Sequence, residues 1–344
     1  MSYVLIFLPR INSDPTSLGG STVLSELMVD YINENKIKTI QIATNKFHKK
    51  NKRLNNYFYI ILMALIYIPK SKCVVLCPSD NLIKFFSPFL YLITRIYRKK
   101  LIIKTFGSNA DTSFSKLNFI HKEILKKTFF RSDIIFHETK GIAKFYKENV
   151  ADHTELVWFP NCRPINEIKQ YNIQIDPKFV FMSTVSFSKG VDIILEANEA
   201  FNCPMVDVYG PIIDKELESK DTFNSIKGHI DSSDVLETLL KYDVLVLPTN
   251  FFGEGYPGII LEAMSLGIPV IASNHRYISE IVQDGFNGKL LRVNDTENLI
   301  NAIRFFLNNK SEVEKIGKNA FGFFNDNFCT EKHHKNLFDK INEY

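Results

Sequence analysis

The chain has few of the features that mark a disulfide-bonded, metal-binding or membrane-spanning protein. Five of its 344 residues are cysteine, and these are scattered: Cys73, Cys77, Cys162, Cys203 and Cys329. Their spacing indicates neither a zinc site nor a disulfide framework. Cys73 and Cys77 stand in an apolar, strand-like run, where buried and inert thiols are expected. The sequence also lacks an Asp-x-Asp motif, so no metal is expected to be required.

The apolar runs are too short to cross a membrane as helices. The longest, Tyr57 to Ile68, has 12 residues and ends before Pro69, whereas a spanning helix needs about 20. A second run covers Phe85 to Tyr97, and basic residues flank both runs. They are interpreted as core-facing helices of a sheet domain, or as helices of which one end enters a membrane interface. The first nine residues lack the basic leader of a signal peptide and are typical of a first strand.

Acidic residues are scarce in the first half of the chain. Residues 1–160 contain 24 Lys and Arg against 12 Asp and Glu, whereas residues 161–344 contain 18 against 26. This asymmetry predicts different partners for the two halves. The basic half suits an anionic membrane surface or a phosphate group rather than a nucleic acid; the alternative is a solvated basic face without a target.

Short apolar strands alternate with helical stretches, which predicts an α/β fold with parallel sheets. The expected strands are 3–8, 39–43, 73–76, 101–104, 133–136, 178–182, 205–209, 244–247, 270–272 and 289–291. The expected helices include 23–34, 116–131, 191–199, 235–241, 258–266, 296–308 and 331–344. A Pro-rich break at 158–164 indicates a linker. We therefore predict two Rossmann-like doubly wound domains facing a cleft, 1–160 and 161–328, with a terminal helix at 329–344 that crosses back to the first domain.

The most informative segment runs from Asp243 to Ala272. A buried strand ends at Pro248, a loop with glycines follows, and Pro257 suits the first turn of a helix. Gly267 suits the left-handed position after that helix, before the next strand. The helix therefore starts at the carboxyl end of a strand, where its first amides and its dipole form an anion site suited to a diphosphate.

Two glutamates bracket this turn. Glu262 lies one turn inside the helix, where a carboxylate can accept both hydrogen bonds of a ribose diol. Glu254 lies in the loop, placed to meet the group attached to the phosphates. Gly255 and Gly258 allow a ligand to approach the backbone closely, and the amides near Tyr256 and Gly258 face it.

This segment resembles the Glu–seven residues–Glu signature of the retaining glycosyltransferases of family 4, which have the GT-B fold. The resemblance implies that Glu262 binds the donor ribose and that Glu254 contacts the donor sugar and serves catalysis. It also implies that the turn Gly255-Tyr256-Pro257-Gly258 holds sugar and phosphate. In the same way, Lys189 is identified as the point charge on the donor diphosphate.

Other segments resemble further parts of that family. The implied donor-side positions are Thr184, Gly210, His229 and Ile230, and the implied acceptor-side positions are Gly19, Gly20, Ser108 and Asn109. Thr184 stands where the family has a phosphate-binding arginine, so Arg163 or Arg276 is expected to supply that charge. Phe106 replaces a family histidine, which leaves Ser108, Asn109 or Asp111 to contact the sugar. His333 and His334 are expected to be solvated rather than to bind metal.

The resemblance implies a retaining hexosyl- or N-acetylhexosaminyltransferase. The expected donor is a nucleotide sugar, with UDP as its commonest nucleotide, and no cofactor is expected. The expected acceptor is a glycan or a polyprenyl-diphosphate-linked glycan of bacterial O-antigen or capsule assembly, at the cytoplasmic face of the plasma membrane. Two alternatives stay open: a nucleotide-sugar epimerase or sugar-phosphate synthase, and a non-catalytic subunit that binds glycan or lipid.

Overall fold

The computed structural model describes residues 3–11, 20–45, 53–107, 109–172 and 174–343. These residues form two compact units. Unit 1 consists of Met1–Asn161 together with Thr330–Tyr344, and unit 2 consists of Cys162–Cys329. The chain therefore enters unit 2 once and returns to unit 1 at its end.

Each unit contains one parallel sheet, and in the described residues each sheet has six strands. The strands β1 to β6 of unit 1 are Tyr3–Leu8, Thr39–Ala43, Ser71–Leu76, Lys100–Lys104, Ile134–His137 and Glu155–Trp158. The strands β7 to β12 of unit 2 are Phe179–Met182, Val206–Tyr209, Ile226–Gly228, Val244–Leu247, Val270–Ser273 and Gly288–Leu291.

Helices connect most of the strands, whereas the connection from β11 to β12 contains only the short 3-10 helix Ile278–Glu280. Helices α1 to α7 are Gly20–Glu34, Arg53–Tyr67, Asp80–Phe85, Ser87–Ile96, Ala110–Ser115, Phe119–Lys127 and Ile142–Asn149. Helices α8 to α14 are Val191–Phe201, Glu216–Lys220, Val235–Leu239, Gly258–Ser265, Thr296–Asn308, Lys310–Asn327 and Thr330–Asn342. The last of these, α14, belongs to unit 1.

The strand sequences explain the two parallel sheets. Central strands such as β3 and β10 are almost continuously apolar and are buried, as expected where helices cover both faces of a sheet. The strand order is β2-β1-β3-β4-β5-β6 in unit 1 and β12-β11-β10-β7-β8-β9 in unit 2. The order reverses between β1 and β3 in unit 1, and between β7 and β10 in unit 2. Such reversal points are where doubly wound sheets bind ligands, outside the carboxyl ends of the strands.

The direction of the connections determines which face each helix of unit 1 covers. Right-handed crossovers from β2 to β3, β3 to β4 and β4 to β5 all step the same way across the sheet. Helices α2, α4 and α6 therefore lie on one face. The step from β1 to β2 runs the opposite way, so α1 lies on the other face.

Helix α14 packs against α1. The ring of Phe338 stacks on Tyr31 with a centroid distance of 5.7 Å, and His334 lies 5.4 Å from the same ring. His333 packs edge-on against Trp158. The expectation that His333 and His334 are solvated is therefore wrong, because both lie on the buried side of α14 with Leu337, Phe338 and Ile341.

Most predicted elements are confirmed. Strands β1, β2 and β10 and helix α12 have the predicted bounds. The single helix expected over 116–131 is wrong, because α6 ends where Thr128 leaves the helical region at φ −133° and ψ −81°. Strand β6 and helix α13 were not predicted. Cys73 and Cys77 are buried, and burial raises the pKa of each thiol to about 11.

None of the helices formed by the described residues combines the length and the apolar character that crossing a membrane requires.

The burial of His334 makes the stability of the protein pH-dependent. Burial, together with the nearby Lys104 and His333, lowers the pKa of His334 from 6.5 to about 3. The unfolded chain therefore takes up a proton that the folded chain excludes, so stability is lost as the pH falls from about 6.5 towards 3, by at most about 1.4 kcal/mol per pH unit. We expect His334→Phe to reduce the fall in Tm between pH 7 and pH 5.

Calorimetry at a series of pH values measures this slope. The control is His153→Phe, because His153 belongs to the same unit but is exposed. Equal slopes for wild type and His334→Phe would show that His334 is not the group responsible.

Candidate donor site and family

The candidate site lies at the strand reversal of unit 2. Strands β7 and β10 are neighbours there, and their carboxyl ends lead into the loops 183–190 and 248–257. Gly190 has a φ of +74°, and a Cβ atom at this residue would lie 2.2 Å from the carbonyl oxygen of Pro248. The amide of Asn250 also donates to the carbonyl oxygen of Ser188 at 2.9 Å. The first loop is therefore fixed against the start of the second.

This close approach brings Lys189 to Glu254. The two side chains form an ion pair between Nζ and Oε1, although 65 residues separate them in the sequence. The hydroxyl of Thr249 lies 3.2 Å from the same carboxylate oxygen, and the Lys189 ammonium lies 4.8 Å from the centroid of the Phe251 ring. Because an ammonium group has three N–H donors, Lys189 can bind an anion while it contacts Glu254.

Helix α11 begins beside this pair. Pro257 is the cap residue, with φ −57° and ψ 126°, and the helix starts at Gly258. The expectation that Pro257 forms the first turn is therefore off by one residue, because its extended ψ places it outside the helix. The Pro257 carbonyl accepts from the amide of Ile260 at 3.1 Å. The amides of Gly258 and Ile259 belong to the first turn, which has no intrahelical acceptors and favours anions.

Glu262 faces Arg163. Nε of Arg163 lies 2.7 Å from Oε1 of Glu262, and Nη1 of Arg163 donates to the carbonyl oxygen of Cys162 at 2.9 Å. The Arg163 side chain is almost fully buried, and Glu262 keeps 21% of its side chain exposed. The sequence predicts Arg163 as one candidate for the phosphate-binding charge, whereas in the structure its guanidinium contacts the carboxylate of Glu262.

The side chains of Tyr256 and Arg276 both pack on aromatic rings. The Tyr256 ring is buried edge-on against Phe328, and its hydroxyl donates to Glu280. Only the backbone of Tyr256 remains for the predicted ligand contact. The Arg276 guanidinium lies 4.5 Å from the centroid of the Phe252 ring, in the loop after β10.

The donor-side positions Thr184, Gly210, His229 and Ile230 lie just after the carboxyl ends of β7, β8 and β9. Gly210 has a φ of +149°, and a Cβ atom there would lie 1.7 Å from the carbonyl oxygen of Ser183, next to Thr184. The Gly210 amide donates to the carbonyl oxygen of Gly228 at 2.8 Å. His229 and Ile230 follow directly, and the His229 side chain is 58% exposed. The structure thus brings the donor-side candidates to one edge of one sheet.

The predicted acceptor-side residues are only partly described. Gly19 and Ser108 lie outside the described residues. Gly20 is the first residue of α1 and is exposed, and Asn109 precedes α5 and is half-buried.

Unit 1 contains a cavity of about 340 Å³ at the carboxyl ends of β1 to β4, where its strand order reverses. Phe106 lines it. The cavity is otherwise rich in amide, hydroxyl and carboxyl groups, from Ser21, Thr44, Asn45, Asn56, Ser79, Asp80 and Asn81. Such groups can hydrogen-bond to a hydroxylated ligand.

Within the described ranges, no cluster of three or more His, Cys, Asp or Glu side chains is arranged to hold a metal ion. The expectation that no metal and no cofactor are required stays a prediction.

The chain is similar to a protein family, to individual relatives in sequence and to solved structures in fold. Residues 165–323 match the family model of the glycosyl transferases group 1. An uncharacterized glycosyltransferase of Methanocaldococcus jannaschii is 25% identical over 281 residues, which covers 74% of this chain and 71% of the relative. The UDP-Gal:alpha-D-GlcNAc-diphosphoundecaprenol alpha-1,3-galactosyltransferase of Escherichia coli is 41% identical over 71 residues, 21% of this chain and 18% of the relative.

A solved structure extends the likeness to the whole fold. Anabaena HepE in complex with UDP and glucose superposes with a TM-score of 0.72 and 14% identity, covering 100% of both chains. At this identity the likeness concerns the fold alone. Taken with the two parallel six-stranded sheets, this likeness shows that the chain has the GT-B fold, and within unit 2 residues 165–323 are similar to the glycosyl transferases group 1.

Proposed function

We propose that this protein is a retaining glycosyltransferase of family 4. It transfers a hexosyl or N-acetylhexosaminyl group from a UDP-sugar to a glycan linked to a polyprenyl diphosphate. The product belongs to a bacterial surface polysaccharide, an O-antigen or a capsule, and the reaction takes place in the cytoplasm at the inner face of the plasma membrane.

One observation supports the proposal that unit 2 binds a nucleotide-sugar donor. Glu254, which pairs with Lys189, lies in the loop that leads into α11, the first amides of α11 follow it, and Glu262 lies one turn inside the same helix. A nucleoside diphosphate sugar offers a ribose, two phosphates and a hexose in that order. Glu262 then contacts the ribose, Lys189 and the α11 amides contact the diphosphate, and Glu254 contacts the sugar.

Sugar transfer depends more on stabilising the departing nucleoside diphosphate than on a nucleophilic side chain of the protein. The bond between the anomeric carbon and the β-phosphate oxygen breaks, and the acceptor oxygen forms the new bond on the same face. The acceptor proton leaves with the nucleotide or into solvent. Lys189 and the amides of Gly258 and Ile259 are fixed in place before the reaction, so they can stabilise the charge that develops on the diphosphate.

Arg163 prepares Glu262 for ribose binding. A carboxylate has about four acceptor positions, and Arg163 occupies one on Oε1. The remaining lone pairs can accept from the two ribose hydroxyls while the carboxylate stays oriented. The exposed fraction of Glu262 leaves room for this contact.

The acceptor half is supported by the cavity of unit 1. Its amide and hydroxyl lining suits sugar hydroxyls, and the relative from Escherichia coli acts on a diphosphoundecaprenol-linked sugar by its name. Incubation with UDP-sugars and polyprenyl-diphosphate-linked sugars, followed by detection of UDP and NMR of the product anomer, tests the proposal. An α product from an α donor supports retention. A new sugar nucleotide formed without acceptor would identify an epimerase instead.

The Lys189–Glu254 pair predicts that only one of two substitutions weakens UDP binding. Lys189→Ala removes a charge-assisted contact to the diphosphate, so the Kd for UDP should rise about tenfold or more. Glu254→Gln removes the carboxylate that competes for Lys189, so the Kd for UDP should stay the same or fall, while the preference for UDP-sugar over UDP is lost.

Isothermal titration with UDP and with a UDP-sugar measures both effects. The control is Lys318→Ala, because Lys318 pairs with Glu314 on the exposed side of α13. If Lys189→Ala bound UDP like wild type, the diphosphate would have to lie elsewhere.

The Glu262 contact can be tested through the ribose itself. We expect wild type to bind UDP about tenfold to a hundredfold more tightly than 2′-deoxy-UDP, since the carboxylate loses a charge-assisted hydrogen bond. In Glu262→Gln, which keeps the side-chain shape beside Arg163, this ratio should approach one. Titrations with the two nucleotides give the ratio directly, and the same ratio in both proteins would rule out Glu262 as the ribose ligand.

A further inference from the structure

We propose that one face of unit 1 docks onto an anionic phospholipid bilayer. The docking surface consists of the outer sides of α2, α4 and α6 together with Phe85. This inference rests on the proposed function only in the choice of acceptor; the surface itself is argued from exposure and charge.

Helix α2 is apolar on its outer side. After Arg53 its sequence contains no charged residue. Ile60 and Ala64 face the core, whereas Leu54, Phe58 and Leu62 are exposed at four-residue intervals, Phe58 by 75% and Leu62 by 52%. Leu65 and Ile66 continue this stripe. A helix that is apolar all round is normally buried on every side, so the outer side of α2 is expected to meet an apolar partner.

The apolar stripe continues onto the neighbouring helices. Phe85 is exposed and contacts Tyr57 of α2 with a centroid distance of 6.4 Å and His121 of α6 with one of 5.9 Å. Beyond this bridge, α6 exposes Phe119 by 77% together with Ile120, and α4 exposes Leu92 and Ile96. Because α2, α4 and α6 lie on the same face of the sheet, these side chains form one surface rather than scattered single residues.

The positive charge of this part of unit 1 indicates that the partner of the docking surface is anionic. Residues 46–131, which contain all three helices, carry 18 Lys and Arg against three Asp and Glu. Lys126 and Lys127 end α6, and Arg98, Lys99 and Lys100 follow α4. Apolar side chains that insert shallowly, on helices whose ends carry basic residues, match the chemistry of an anionic lipid surface.

A second copy of the chain fits this surface less well. A two-fold interface would bring the basic residues of both copies together, and like charges at close range repel. A bilayer instead presents a continuous anionic surface, and the length of α2, about 22 Å for 15 residues, can lie along it.

The position of the surface also suits a lipid-linked acceptor. Asn56, Tyr57 and Ile60 of α2 line the cavity of unit 1, while Phe58 and Leu62 of the same helix belong to the docking surface. An acceptor anchored in the bilayer would therefore present its sugar beside the cavity while its lipid remains in the membrane.

Flotation with vesicles tests the proposal without any substrate. Wild type should bind vesicles of phosphatidylglycerol and phosphatidylcholine, bind pure phosphatidylcholine weakly, and lose affinity as salt increases. The double variant Phe58→Gln/Leu62→Gln should bind at least tenfold more weakly and retain the circular dichroism spectrum and cooperative thermal unfolding of wild type, which shows that unit 1 still folds. The control Ile213→Gln/Leu240→Gln changes two exposed apolar residues of unit 2 and should bind like wild type.

A second readout locates the inserted residue. The sequence has a single Trp, so Phe58→Trp adds one reporter, and lipids brominated on their acyl chains should quench it, whereas Ile213→Trp should not be quenched. Equal vesicle binding by wild type and Phe58→Gln/Leu62→Gln, or no quenching of Phe58→Trp, would overturn the proposal. So would a dimer in solution that the double variant abolishes without any vesicle binding by wild type, because a second copy would then be the occupant.

Membrane docking can be tested separately from the proposed sugar transfer. Transfer to a water-soluble acceptor should be unchanged in Phe58→Gln/Leu62→Gln. Loss of docking with retained transfer contradicts neither proposal, and vesicle binding without any transfer activity leaves the surface assigned while it refutes the reaction.

Discussion

The contact between Gly190 and Pro248 is the constraint on which the candidate donor site depends. Only a residue without a side chain can place the loop after β7 so close to the strand end of β10, and next to this contact Lys189 pairs with Glu254. The ion pair neutralises two charges in a largely buried position, where either charge alone would be costly. The same edge carries the first amides of α11 and Glu262. The positions of the charged side chains that can bind a diphosphate sugar therefore depend on the close approach of the two backbone segments.

The order of strands, helix and loop in this region could be predicted from the sequence, because Pro257, Gly267 and the apolar strands act locally. The partners of the charged residues could not. Arg163 and Glu262 are 99 residues apart, and nothing in either local sequence specifies their pairing. The burial of His334 was missed for a related reason: its spacing with Leu337, Phe338 and Ile341 marks one helix face, but only the packing of α14 on unit 1 shows that this face is covered. Thr184 stands where the family that the sequence resembles has a phosphate-binding arginine. The local sequence does not indicate which other residue supplies the missing positive charge.

The two units share an architecture and differ in chemistry. Both are doubly wound sheets with a reversal of strand order, and each has its candidate site at that reversal. In unit 2 the site is built from an ion pair, helix amides and a second carboxylate. In unit 1 the cavity is lined mainly by neutral polar groups, and the basic and apolar residues lie on the helices around it. One fold thus supplies a charged site and a neutral one, and the difference arises from the loops and helix surfaces rather than from the sheets.

The return of the chain to unit 1 has a consequence for synthesis. Unit 2 is continuous in sequence, whereas unit 1 is completed by α14, which the ribosome makes after all of unit 2. Until α14 emerges, the ring of Tyr31 and the aromatic side chains at the end of β6 lack the partners that cover them in the folded protein. Part of the apolar surface of the first half therefore stays uncovered until α14 has been synthesised, whereas the second half can fold as it leaves the ribosome.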